Sequence, residues 1–236
     1  MKKYRFFLPV MVVLLALTGC MYPEENYIQN QVPYKDQLDS VQSAVDQYQQ
    51  ASSGLLPIKT RDAKTPIYQK YPIDFKKIVP QFIAETPGNA FESGGLFQYV
   101  LVDAETNPTV KLLDLRVADT IREIKMRMEA NGYPPFKDQI AENVYSIDFK
   151  KIGYKKEPVV ESPFTTDNLH FVLSTEGEIY VDYRSDLYKA MKSSDKGLKE
   201  GEDIRWILVE NSMFVPAYSL PYTVDKATNE PVFLAK

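Results

Sequence analysis

The apolar positions of this chain fall into a few clear rhythms. Tyr34, Leu38, Val41, Val45 and Tyr48 are spaced 4, 3, 4 and 3 residues apart, with Gln and Asp filling the other face. That spacing predicts a helix over roughly Tyr34 to Ala51 whose single stripe packs on a sheet. A second helix is predicted over about Ala118 to Ala130, striped by Ile121, Ile124 and Met128, with Val117 one turn earlier. From His170 to Ser174, and again from Glu178 to Arg184, apolar and polar residues alternate around Thr175-Glu176-Gly177. A half-buried hairpin requires that alternation. A third helix starts at Asp186-Leu187-Tyr188 and stops near Gly197. The tail then reads as strands: Arg205 to Val209, Phe214 to Val224, and Val232 to Ala235. Pro216 and Pro221 place the middle strand at an edge or in a bent segment.

The rhythms recur. Tyr71-Pro72-Ile73-Asp74-Phe75-Lys76-Lys77-Ile78 returns as Tyr145-Ser146-Ile147-Asp148-Phe149-Lys150-Lys151-Ile152, seven matches in eight at an offset of 74. Upstream, Gly54-Leu55-Leu56-Pro57-Ile58-Lys59 answers Gly132-Tyr133-Pro134-Pro135-Phe136-Lys137. Downstream, Phe97-Gln98-Tyr99-Val100-Leu101 answers Leu169-His170-Phe171-Val172-Leu173, and Leu113-Asp114-Leu115-Arg116 answers Val181-Asp182-Tyr183-Arg184. Four segments in one order point to a tandem duplication. The expected fold class is α+β, a helix plus antiparallel-sheet unit used twice, over 34–116 and 117–192, with a β-rich segment over 193–236.

The N-terminus is of another kind. A basic head (Lys2, Lys3, Arg5) precedes an apolar stretch, and Leu17-Thr18-Gly19-Cys20 ends in the chain's one cysteine. The 13 residues from Phe6 to Thr18, interrupted by Pro9, are short against the ~20 apolar residues of a spanning helix. They read as a secretory signal, and the run around Cys20 resembles the lipobox of bacterial lipoproteins. That resemblance implies a diacylglyceryl thioether on Cys20, with palmitate-type chains, and cleavage just before it. Residues 1–19 would be the signal peptide and 20–33 a lipidated tether to the extracytoplasmic face of the cell membrane. Two acyl chains hold a protein on a bilayer stably where one holds it marginally. The polar residues 21–33 reach at most about 45 Å.

Without residues 1–19, which hold three of the 28 basic residues and no acidic one, 217 residues remain with a net charge of −7. That balance disfavours nucleic acid and other anionic partners. A lone, lipidated cysteine leaves no disulfide, so the fold rests on its core.

Candidate chemistry is sparse. His170 is the sole histidine, which excludes His-rich metal sites and a Cys–His pair. It sits on the polar face of its strand, where an exposed surface role is expected, as for its counterpart Gln98. No Gly-x-Ser-x-Gly, P-loop or dinucleotide fingerprint is present. The duplicated charged pairs Asp114/Arg116 and Asp182/Arg184 are the candidate binding residues. Either Arg grips a carboxylate or phosphate bidentately, or each pair holds a strand-to-helix junction. The second reading is favoured because both units keep the pair. Asp74 and Asp148 are expected to cap a short helical turn; alternatively their segment is a strand. No cofactor and no metal is expected.

Two further likenesses bear on these expectations. The first unit is similar to the globular part of type II pseudopilins: a helix with a late Tyr48 running to Gly54-x-x-Pro57, a turn through Ile78, Pro80, Phe82, Ile83 and Pro87, then Phe97-x-Tyr99. It covers residues 38–101 and concerns fold alone. The whole mature chain resembles small lipoproteins of Gram-positive spore-forming bacteria, some described as solute-binding components of importers. The expected function is a non-enzymatic, membrane-anchored module that contacts envelope proteins, with a groove between the two units as the contact site. The alternative is a solute-binding lipoprotein of an ABC-type importer, with a small-molecule ligand.

Overall fold

A computed structural model describes residues 31–194 and 197–234. The signal segment, Cys20 and most of the tether lie outside the described residues. The chain divides into two units, Met1–Asp36 and Gln37–Lys236, and the fold given below is that of the second.

Helix α1 (Gln31–Ala51) leads into it and buries Val41, Ala44 and Val45 along the expected stripe. A short helix α2 (Phe75–Ile78) and the hairpin β1 (Phe97–Val102) and β2 (Thr109–Asp114) follow. Helix α3 (Arg116–Asn131) buries Val117, Ile121, Ile124 and Met128, the four stripe residues expected. The antiparallel sheet β3–β4–β7–β8 comes next, from β3 (Phe136–Ala141), β4 (Val144–Ile147), β7 (Phe171–Ser174) and β8 (Ile179–Val181). A two-residue pair, β5 (Val160–Glu161) and β6 (Asn168–Leu169), lies between its halves in sequence. Helices α4 (Arg184–Ser193) and α5 (Trp206–Glu210) and the hairpin β9 (Tyr222–Asp225) and β10 (Glu230–Phe233) complete the chain. The fold is an α+β mix of helices and antiparallel sheets.

One core gathers α3, the four-stranded sheet, α4, α5, Tyr222 and Phe233. A second joins Val100, Val102 and Leu113 of the first hairpin to Val209, Val215 and Ala217.

Several contacts recur between the two halves. The Asp74 N–H donates to the Pro57 carbonyl at 2.7 Å, and the Asp148 N–H to the Pro135 carbonyl at 2.8 Å. Ile58 bridges Ile73 as Phe136 pairs with Ile147, and Pro72 faces Val100 as Ser146 faces Val172. Helix α3 runs directly into the left-handed Gly132 (φ 86°), and three residues beyond α1 stands the left-handed Gly54 (φ 90°), a conformation that costs a side-chain-bearing residue energy. Tyr99 and Phe171 are both buried strand residues. The hairpins differ by one register step: Tyr99 faces Leu112, while Phe171 faces Val181, which answers Leu113. In the first half the segments around Ile58 and Ile73 meet through a single bridge rather than a strand pair.

The tail departs from expectation. Residues 206–210 form a helix, not the strand expected over Arg205 to Val209. A short apolar run does not distinguish the two, and here the chain turns into a helix at Asp203, whose carboxylate accepts the Arg205 N–H at 3.1 Å. The strand expected to reach Arg184 stops at Val181, because Asp182 accepts the Arg184 N–H at 3.0 Å and starts α4. The expected strand over Phe214 to Val224 is regular only in Tyr222–Asp225. Before that it is a strap with single bridges to Leu112 and Val181, and proline supplies no ladder donor at 216 or 221.

Candidate functional site

The duplicated charged pairs close on themselves. Asp114 Oδ1 accepts the Arg116 N–H at 2.9 Å, and both its oxygens accept the Arg116 Nε–H at 3.0 Å. Arg116 Nη2 lies 2.5 Å from Asp114 Oδ2. Asp182 and Arg184 repeat this arrangement, with contacts of 3.0, 3.0, 3.0 and 2.6 Å. Asp114 is the last residue of β2 and Asp182 follows β8; each accepts the N–H two residues on, at the turn into the next helix, and holds the arginine fork. The hydrogen bonds that Arg184 donates to Asp182 raise its pKa further, against burial, which lowers it.

A third copy went unread in the sequence. Asp203-Ile204-Arg205 forms the same closure at 3.1, 3.0, 3.0 and 2.6 Å and opens α5. Arg205 is the most buried of the three arginines; its Nη1 donates to the Ser219 carbonyl, and its guanidinium lies 5.1 Å from the Tyr68 ring centroid. The tripeptide Asp-x-Arg itself was the available signal.

The strap joins these closures. The Leu112 and Val215 N–H groups exchange with the Met213 and Leu112 carbonyls, the Val181 N–H donates to the Tyr218 carbonyl, and the Ile204 N–H to the Tyr222 carbonyl. The Tyr183 hydroxyl donates to the Ala217 carbonyl. The chain's own C-terminal segment therefore bridges β2 and β8.

Replacing Asp182 by alanine should cost about 2 kcal/mol. It removes the turn hydrogen bond that leads into α4 and one half of an ion pair whose arginine is more than one-third exposed, so solvent screens part of the loss. A melting temperature lower by about 6 °C is expected. A role in ligand binding alone would leave it unchanged.

An open cavity of about 340 Å³ lies beside α5, lined by Tyr68, Asp103, Thr109, Lys111, Trp206 and Glu210 among others. Burial pushes the Tyr68 phenol up to about 12, with the Arg205 charge opposing. Burial also lowers the Lys111 pKa. The Lys111 ammonium donates to the Val209 carbonyl at 2.8 Å and to the Ser212 carbonyl, so it caps the C-terminal end of α5 rather than facing a substrate. Elsewhere, Asp186 is buried and accepts the Ser162 and Thr165 hydroxyls at 2.7–2.8 Å. Burial raises its pKa against those hydrogen bonds.

His170 is exposed and its Nδ1 lies 2.9 Å from Glu157 Oε1. Asp74 caps α2 through the Lys76 N–H at 3.3 Å, as expected. Asp148 instead pairs with Lys151 at 3.5 Å, at the head of a turn. Among the described residues no group of three or more His, Cys, Asp or Glu is placed to hold a metal ion, and no helix is long and apolar enough to cross a membrane.

No curated protein and no solved structure matches the chain. Residues 34–114, from α1 to the last residue of β2, match the model of the YphF family N-terminal domain.

Proposed function

We propose that this chain is a lipid-anchored lipoprotein of the extracytoplasmic face of the cell membrane, acting as a non-catalytic contact or assembly module. The lipobox-like run ending in Cys20 supports the location. The observation that carries the role is the set of large apolar side chains left at the surface of a fold whose charged pairs are closed on themselves. Met126 of α3, Tyr133 just after that helix, and Trp206, the only tryptophan, are among them. Exposed apolar and aromatic side chains supply binding energy at protein interfaces. The two halves are proposed to derive from one duplicated unit, supported by the matched Asp74/Asp148 and Ile73/Ile147 contacts.

The second reading, an importer solute-binding lipoprotein, would use the Tyr68–Trp206 cavity, an aromatic-walled space at the small end of the range for small ligands.

Two experiments test the proposal. Cys20→Ala should release or misprocess the protein, and unchanged membrane retention after washing would contradict the anchor. Crosslinking in intact cells should then join the wild type to envelope proteins, with yields that fall in Trp206→Ala or Tyr133→Ala. Enrichment of an importer permease and its ATPase would favour the second reading; no enrichment would contradict the contact role.

A further inference from the structure

The charge of this chain is not evenly spread. Residues 55–77 hold six basic side chains (Lys59, Arg61, Lys64, Lys70, Lys76, Lys77) and two acidic ones, a local +4 in a chain of net −4. Lys59 is the only one of the six with a carboxylate partner among the described residues, Glu92 at 2.6 Å. Long-range forces follow the local charge rather than the average.

Two of these cations, Lys59 and Lys76, border a loop tied at its base. Residues 89–97 are tied at the neck by the Phe97 N–H to the Asn89 carbonyl at 3.1 Å and the Gly95 N–H to the Ala90 carbonyl at 2.9 Å. Gly95 passes so close to Asn89 that a Cβ would lie 2.1 Å from its carbonyl atoms, so no other residue fits. The buried Tyr99 hydroxyl donates to Asn89 Oδ1 at 2.8 Å and anchors the base. On this fixed loop Phe91 is 60% and Leu96 53% exposed. Glu92 of the loop, Asp74, Lys59 and Lys76 line one depression of about 460 Å³ together with Phe75, Val79 and Thr86. The Lys77 ammonium donates to the Ile58 carbonyl at 3.0 Å, beside Lys59.

We infer that the 89–97 loop, with Lys59, Lys76 and Lys77, docks this face on an anionic lipid bilayer, Phe91 and Leu96 entering the interface and the lysines meeting headgroup phosphates. The inference rests on the envelope reading, which keeps a bilayer within reach of the tether. Apolar side chains backed by cations, of which Lys76 and Lys77 have no carboxylate partner among the described residues, suit a surface that is apolar beneath and anionic above. A rigid loop loses little conformational freedom on docking. The low net charge expected to disfavour anionic lipid does not describe this face.

The test uses the full chain with a single reporter, Phe91→Trp in a Trp206→Phe background, reconstituted into vesicles with brominated acyl chains. Quenching at position 91 is expected on phosphatidylcholine–phosphatidylglycerol vesicles and not on phosphatidylcholine alone. Lys76→Gln and Lys77→Gln should each lower the docked-to-undocked ratio about 5-fold. A Met126→Trp reporter in the same background should stay unquenched. Absent quenching at 91 on anionic vesicles, or equal quenching at 126, overturns the inference. So does a reporter that is silent on vesicles while a photocrosslinker at 91 joins a protein in cells. Membrane retention of the wild type against Cys20→Ala reports on the anchor separately, so failure of the envelope reading is distinguishable.

Discussion

Tyr222→Ala should cost about 4–5 kcal/mol, a large part of the ~5–15 kcal/mol that holds an ordinary domain folded. The side chain is fully buried, and its ring lies 4.8 Å from that of Phe233. Removing a buried aromatic costs ~3–5 kcal/mol through lost burial and the cavity left behind. Its hydroxyl accepts the Tyr183 N–H at 2.9 Å and lies 3.3 Å from the Val181 carbonyl. A buried N–H left without an acceptor adds ~1–3 kcal/mol where water cannot reach it. Tyr222→Phe keeps the ring and should cost about 1–2 kcal/mol. Because the strap pairs with both hairpins, urea unfolding of the wild type should give coincident transitions by Trp206 fluorescence and by far-ultraviolet circular dichroism. Tyr222→Ala should lower both midpoints together. A loss below 1 kcal/mol would mean that residues 213–222 do not join the halves.

What sequence made legible was whatever depends on neighbours a few residues apart. The stripe of α3 was readable because Val117, Ile121, Ile124 and Met128 face one core, and helical spacing alone puts them there. The turn at Gly132 was readable because a left-handed residue after a helix favours glycine. The hairpin of β7 and β8 followed from alternation. Long-range pairing was not readable. Residues 213–222 carry two prolines and no clear period, yet they cross both hairpins, because the donors and acceptors they meet at Leu112 and Val181 are distant in sequence. Helix α5 is hidden for a related reason: Trp206 to Val209 is apolar throughout, and the Asp203 closure that starts the helix is a polar contact without periodicity. The candidate pairs are legible as residues and as a junction motif, whereas the third, Asp203/Arg205, lies outside the matched segments and has only its tripeptide as a sign. The 89–97 loop left only Gly94-Gly95 as a sign, and its exposure of Phe91 depends on a close backbone approach that no local pattern encodes.

Alkaline pH should unfold this protein cooperatively. Burial pushes the Tyr68 and Tyr99 phenols up to about 12. Burial raises Tyr183 and Tyr222 well above the ordinary value of 10.0, and the nearby carboxylates of Asp186 and Asp114, and of Asp182, add to the effect. A phenolate formed there would lose water and face like charge. The sign follows from linkage. A folded pKa above the unfolded one means that the folded chain keeps protons which the unfolded chain has released. Stability is therefore full below pH 10 and falls as pH rises toward 12. Two pKa units correspond to about 3 kcal/mol per group at the limit, so Tyr68 and Tyr99 alone remove several kcal/mol. Lys111 works the other way: its lowered pKa makes the unfolded chain the better proton binder, so its contribution rises with pH below 10.5 and offsets part of the loss. Part of the phenolate absorbance at 295 nm should appear only together with the loss of circular dichroism. Tyr183→Phe should shrink that delayed part, although it also frees the Ala217 carbonyl. Complete phenolate formation with the dichroism intact would mean that these four rings are open to solvent, and the joint between strap and hairpins would have to be redrawn.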